Sequence, residues 1–180
     1  MSVVLIPFSG LAETLWANGA GRKADIAAGE GWALAFAWID GPAPFSNYSG
    51  LQRTITLVEG DGFVLDFAEH PPLVVDTPGK PADFDGGWKA DCRLLGSPSF
   101  VLNAYSTRGA VRQSVRVMAP RATGPLSQGD SLGQFMVVLR GQVWLGGVAA
   151  GPRDTLRVGA PAAASGSGDA LVAVIRFERG

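Results

Sequence analysis

The sequence predicts an all-β protein, and three observations carry that prediction. Its 25 glycines and 12 prolines fall as punctuation between short runs, as in Gly41-Pro-Ala-Pro44, Glu59-Gly-Asp-Gly62, Thr77-Pro-Gly-Lys-Pro81 and Asp85-Gly-Gly87. The runs between them alternate apolar and polar residues with the period of two that lines one face of a strand. No window of about eleven residues or more holds a clean helical period.

The elements follow in chain order. The N-terminal run Met1 to Phe8 has no Lys or Arg ahead of it and is cut by Pro7, so it does not read as a signal peptide. Glu13 to Asp25 reads as a hairpin around Asn18-Gly19, where Gly19 and Gly21 permit positive φ and a close backbone approach. Arg53 to Glu59 is a strand with Ile55 and Leu57 on one face and Thr54 and Thr56 on the other. Phe63 to Phe67 and Lys89 to Leu95 are further strands. In a strand around Val101, Asn103 and Tyr105 both faces are apolar. Val111, Val115 and Val117 share a face opposite Arg112, Ser114 and Arg116, and Leu171, Ala173, Ile175 and Phe177 repeat the scheme near the C-terminus.

An internal repeat extends this reading. Leu57 to Leu65 can be laid over Val138 to Gly146, which superposes Gly60 on Gly141 and Phe63 on Trp144. A short Val/Leu strand, a loop and a last strand follow each hairpin; in the second copy these are Asp154 to Val158, Pro161 to Asp169 and Ala170 to Glu178. Two similar all-β halves imply two small β-barrels from an internal duplication. The expected division is an N-terminal barrel over 1–118 and a C-terminal one over 119–180. The second is completed by strands from the N-terminal part, so that the whole is one compact unit. Ala119 to Gly129, rich in Pro, Gly and Ser, reads as the linker.

Composition bounds the chemistry. The chain has 180 residues, 47% hydrophobic content and a net charge of -1. A chain this long buries roughly 70% of its unfolded surface, and this hydrophobic content argues against disorder. There is no basic run to follow a nucleic-acid backbone, nor an apolar stretch of the ~20 residues that span a bilayer. The expectation is a cytoplasmic protein with neither nucleic-acid nor membrane partners. Cys92 is the single cysteine and His70 the single histidine. That excludes an intramolecular disulfide, a cysteine metal cluster and a multi-imidazole metal site. Cys92 reads as a packed thiol and His70, ahead of Pro71-Pro72, as an exposed turn residue. Ser46 and Ser99 have no Ser/His/Asp setting.

Arg53 is the most informative residue. Period two puts it on the face of Ile55 and Leu57, near the strand's first turn and hence near a barrel mouth. An inward guanidinium is costly without an anion, and its planar fork matches a carboxylate. It is therefore a carboxylate clamp, half of an internal salt bridge, or a strand-end side chain that snorkels to water. Gln113, on the apolar face of Val111 and Val115, is a second inward polar group that needs partners.

Trp16-Ala-Asn-Gly-Ala-Gly-Arg22, followed by Asp25-Ile-Ala27, resembles the W-x-N-G-x-G opening of the HutD/Ves family. Phe45-Ser-Asn-Tyr-Ser-Gly-Leu-Gln-Arg53 through Gly60 is similar to its F-S…R…G block, and Leu102-Asn103 ahead of Thr107-Arg-Gly109 to its LN…RG segment. The resemblance runs over approximately residues 5–180. It implies a bicupin-like fold of the double-stranded β-helix type and a link to bacterial histidine utilisation as a regulator. Cupins commonly hold a metal with three His and a Glu. Here the residues after Gly60 read Asp61-Gly-Phe-Val-Leu-Asp66, so no metal and no cofactor are expected.

The resemblance also matches Arg53 to the family's pocket arginine, and Asn18, Gly19 and Asn103 to its motif positions. Histidine-pathway intermediates carry carboxylates, and urocanate, formylglutamate and formate are the candidates. On this view Arg53 clamps the carboxylate, Asn18 and Asn103 orient it, and Trp16 and Phe45 wall the ligand. Two other classes stay open. One is an enzyme on the same metabolites with Glu13, Asp25 or Glu59 as acid or base. The other is an interaction protein whose interior is filled. Pairing through sheet edges would make a homodimer.

Overall fold

The computed structural model describes residues 3–126 and 131–180. Eighteen strands and two short 3-10 turns make up its regular structure. The strands are β1 (Val3–Ile6), β2 (Glu13–Leu15), β3 (Arg22–Gly29), β4 (Trp32–Ile39), β5 (Ala43–Pro44) and β6 (Leu51–Glu59). Then come β7 (Phe63–Phe67), β8 (Leu73–Val75), β9 (Pro81–Asp85), β10 (Ala90–Leu94), β11 (Ser99–Thr107) and β12 (Val111–Met118). The chain ends with β13 (Gly133–Arg140), β14 (Val143–Leu145), β15 (Val148–Ala150), β16 (Thr155–Val158), β17 (Ala164–Gly166) and β18 (Leu171–Arg179). The all-β expectation holds.

Two compact units divide the chain, one of residues 12–108 and one of residues 1–11 with 109–180. The expected boundary after residue 118 is therefore corrected by ten residues. The cause is pairing: β12 runs antiparallel to β18 from Val111↔Arg179 to Met118↔Val172, so it belongs with the C-terminal strands. That unit is also completed from the N-terminus, because β1 pairs with β16. The expected linker lies inside this unit. Pro120–Thr123 forms a 3-10 turn and Leu126 bridges Ala162, while residues 127–129 of it fall outside the described residues.

In the unit of residues 12–108 a six-stranded sheet, β2-β3-β4-β11-β6-β9, faces a four-stranded one, β5-β10-β7-β8. Their inner faces meet in a core that includes Ala37, Ile39, Ile55, Leu57, Val101, Phe63, Leu65 and Val75. In the other unit, β1-β16-β13-β18-β12 faces β15-β14-β17 around Met136, Val138, Val172, Val143, Leu145 and Leu156. The ladders are open, with an edge strand at each end, where closed barrels were expected. Thr54 and Thr56 are buried as well as Ile55 and Leu57, so the opposite face of β6 is not a water-facing one.

One pairing pattern recurs. The order β4-β11-β6-β9 is matched by β12-β18-β13-β16, and β8-β7-β10 by β15-β14-β17. The corner glycines Gly60 and Gly141 both take positive φ, 99° and 79°. A Cβ at Gly60 would sit 2.3 Å from the Pro98 carbonyl oxygen, and one at Gly141 2.8 Å from Ala170 Cα, so only glycine lets each corner lie against its neighbour. The superposition beyond them slips by one residue. Phe63 is fully buried, whereas Trp144 is 44% exposed and Val143 takes the interior place. The loop expected over Pro161 to Asp169 contains the short strand β17, held on β14.

Candidate functional site

Arg53 is 2% exposed. It is the third residue of β6, and register places Tyr105 of β11 on one side of it and Phe84 of β9 on the other. Both cross-strand neighbours thus turn a ring toward the guanidinium. The loop between β5 and β6 supplies two more rings. The Phe45 N–H donates to the Ala90 carbonyl (2.9 Å) and the Tyr48 N–H to the Gly86 carbonyl (2.7 Å), which fix that loop on the β9–β10 turn. The Arg53 Cζ lies 4.7 Å from the Phe45 ring centroid, 4.9 Å from Phe84, 5.0 Å from Tyr105 and 5.2 Å from Tyr48.

Among the described residues a backbone carbonyl, a side-chain amide oxygen and the Tyr105 phenol meet this cation. Nη1 donates to the Ser46 carbonyl (3.2 Å) and Nη2 to Asn103 Oδ1 (3.2 Å), while Nε has no hydrogen-bond partner. No carboxylate pairs with it among the described residues. Of the three readings of Arg53, the internal salt bridge and the snorkelling side chain are both excluded. Ring faces attract a desolvated cation by roughly 0.5–2 kcal/mol, but burying an unpaired charge costs several kcal/mol. The cage therefore carries a standing deficit of negative charge.

The opening motif builds one wall. The Trp16 N–H donates to the Gly21 carbonyl (2.8 Å), the Gly19 N–H to the Trp16 carbonyl (2.9 Å) and Trp16 Nε1 to the Arg22 carbonyl (2.8 Å). A Cβ on Gly21 would lie 2.4 Å from the Trp16 ring, so glycine lets the indole lie flat on the backbone. The ring then meets Phe45 edge-on at 5.5 Å.

Trp16, Phe45, Arg53 and Asn103 line one small cavity together with Ser46, Tyr48 and Tyr105. It has about 10 Å³ of free space, enough for roughly one water. A cleft of about 270 Å³, lined by Asp25, Trp32, Leu51 and Thr107 among others, shares Lys23, Tyr48 and Tyr105 with it. Lys23 Nζ pairs with Asp25 Oδ1 at 2.7 Å. Burial pushes the Tyr105 phenol above its ordinary range, partly opposed by the Arg53 charge.

The other expected residues do not join the cavity. The exposed Asn18 amide is committed to its own loop, with Nδ2 donating to the Pro44 carbonyl (2.8 Å) and Oδ1 accepting the Ala20 N–H (3.0 Å). Gly19 holds the turn at φ 71°. Gln113 lies on β12 in the other unit, half-buried opposite Phe177. Glu13 pairs with Arg22 at the surface and Glu59 is exposed at the end of β6, so the three proposed acids do not converge. His70 is exposed and stacks on Trp88 with centroids 3.7 Å apart. Cys92 is buried and its thiol is pushed up to about 12 by burial and by Asp66. Sequence reasoning missed Tyr48, Phe84, Tyr105 and Lys23. Phe84 and Tyr105 were reachable through strand register with Arg53, but Tyr48 depends on a loop path.

A divalent metal does not fit this interior. The β6 and β11 side chains at the cavity are Arg53, Asn103 and Tyr105, and a buried guanidinium repels a second cation. Among the described residues no three His, Cys, Asp or Glu group together as ligands.

Fold and cavity define an all-β, cupin-like protein organised around a caged cation. The HutD family model matches residues 9–174, and the chain belongs to the HutD family, which is linked to the histidine-utilisation locus. An uncharacterised 21.2 kDa protein in the hutC 3' region of Pseudomonas putida is 31% identical over 115 residues, 59% of this chain and 53% of that protein; the match spans about half the length of this curated relative. HutD from Pseudomonas fluorescens SBW25, solved in a formate condition, superposes with a TM-score of 0.84 at 20% identity and covers 99% of this chain and 100% of its own. YhhW from Escherichia coli superposes with a TM-score of 0.70 at 9% identity over 97% of both chains. No helix among the described residues is long and apolar enough to cross a membrane.

Proposed function

We propose that the chain binds a small carboxylate metabolite at Arg53, without a resident metal, and so acts as a cytoplasmic regulator of histidine utilisation. The observation that carries this reading is a guanidinium buried among four rings with no carboxylate of the described residues against it. A carboxylate headgroup supplies the missing charge and accepts from the unused Nε. The small cavity as it stands holds about one water, so a carboxylate head reaches Arg53 by pushing the cage rings apart, and the adjoining cleft takes the remainder of a longer guest. Urocanate and formylglutamate fit the division into head and body, and formate is the head alone. The recurring strand order supports two halves of one bicupin ancestor. A homodimer through exposed sheet edges is part of the same proposal.

Calorimetric titration of formate, urocanate and formylglutamate against the native protein, Arg53→Ala and Arg53→Lys tests the reading. The expected result is a loss of at least about a hundredfold on removing a two-bond charged clamp, with Lys recovering part of it. Equal affinity in all three proteins removes Arg53 from the mechanism.

A further inference from the structure

The C-terminal unit carries a groove of about 520 Å³ on its β12-β18-β13 sheet. Its place in the fold is fixed by register. Leu57 pairs with Val101 and Val138 with Val172; two residues on, Ile55 pairs with Asn103 and Met136 with Val174. Two further on, Arg53 pairs with Tyr105 and Gln134 with Arg176. Gln134 therefore occupies the position of Arg53, and Arg176 that of Tyr105. On the next strand Ala33 and Ala35 correspond to Ser114 and Arg116, since they pair with Tyr105 and Asn103 as those pair with Arg176 and Val174.

The chemistry is redistributed rather than lost. Arg112, Arg116 and Arg176 line the groove against one carboxylate, Glu178. Glu178 accepts from Arg112 at 2.9 Å and pairs with Arg176 at 3.1 Å. No ion pair reaches Arg116 among the described residues, so the described lining of the groove carries two positive charges in excess. Gln134 is 5% exposed, lines the groove, and its Oε1 finds no hydrogen-bond donor among the described residues. A buried amide oxygen without a donor is costly. Arg112 and Arg116 flank Ser114, which stands opposite Arg176, so the three guanidinium groups surround one spot at cross-strand and diagonal distances.

We propose that this groove is a second binding site, for a small dicarboxylate that also carries an O–H or N–H donor. The two carboxylates neutralise the excess charge, and the donor satisfies Gln134 Oε1. The site is independent of the Arg53 cavity, whose ligand needs a single carboxylate.

The probes are malate, which has two carboxylates and a hydroxyl, succinate, which lacks the hydroxyl, and acetate, titrated calorimetrically into the full chain. Malate is expected to bind best. The double substitution R116Q/R176Q is expected to weaken malate at least about tenfold while leaving formate affinity unchanged, and Gln134→Leu to abolish the preference for malate over succinate. Malate affinity unchanged in R116Q/R176Q, or no better than acetate in the native protein, overturns the proposal. Loss of formate binding by Arg53→Ala with malate retained separates this site from the first. Gln134 is buried, so should Gln134→Leu not fold, the arginine pair, which is half-buried and exposed, still decides the matter.

Discussion

Replacing Arg53 with methionine separates a binding cation from a structural one. In the anion-free protein the guanidinium costs several kcal/mol to bury. Against that stand two charged hydrogen bonds, to Ser46 and Asn103, of about 1.5–3 kcal/mol each, and ring contacts of roughly 0.5–2 kcal/mol. These terms nearly cancel, and a methionine fills much of the stem's volume. Arg53→Met is therefore expected to change the unfolding free energy by less than about 2 kcal/mol in either direction. Formate at a hundred times its dissociation constant should raise native stability by about 2.7 kcal/mol and leave the variant unmoved. Urea denaturation followed by tryptophan fluorescence, with and without formate in a chloride buffer, reads both quantities. A loss above about 3 kcal/mol without anion, the signature of a broken buried pair, together with a native protein indifferent to formate, would refute the binding role.

Three further outcomes follow from local geometry. Gly21→Ala drives a methyl into the Trp16 ring and should cost about 1–3 kcal/mol, with a shift in indole emission that marks the displaced wall. The thiol of Cys92, 3% exposed and raised to about 12, should resist an aromatic disulfide reagent in the native state and react only at the rate of unfolding. Asp85 accepts from Arg108 (2.6 Å) and from the Gly87 N–H (2.8 Å), which hold its carboxyl below the ordinary value. A lowered native value gives stability that is present above the unfolded pKa and lost as pH falls through the native one. The native protein should therefore lose stability on acidification more steeply than Asp85→Asn, and acid titrations of both by circular dichroism check this.

Strand alternation put Arg53 on the face of Ile55 and Leu57, but whether the side chain stays inside or snorkels out is decided by the rings that the tertiary fold packs around it. The same logic gave β12 and β18, but not the unit boundary, since whether Val111 to Met118 pairs forward or backward is decided by a partner sixty residues away. The corner glycines were legible because a positive φ against a close backbone leaves a glycine signature. The residue after each corner was not: β14 lacks the extra residue that precedes β7, so Trp144 turns out where Phe63 turns in. Asn18 was expected at the ligand because it matches a motif position of the family, although an Asn-Gly pair also serves as an ordinary hairpin turn. Its commitment to Pro44 is a tertiary fact. The cage was half visible, since Phe84 and Tyr105 follow from register, while Tyr48 reaches the guanidinium only through the fold of a loop.

Tyr48 and Tyr105 stand on the partition between the small cavity and the cleft. If the proposed carboxylate binds at Arg53, a chamber built this way would inspect its visitor in two stages, first the acidic end and then whatever trails behind. Acids that share a head would compete for the same berth while differing in how they rest on the two phenols. The pair of tyrosines is thus a natural reporter, whose ultraviolet signature should tell a short occupant from a long one.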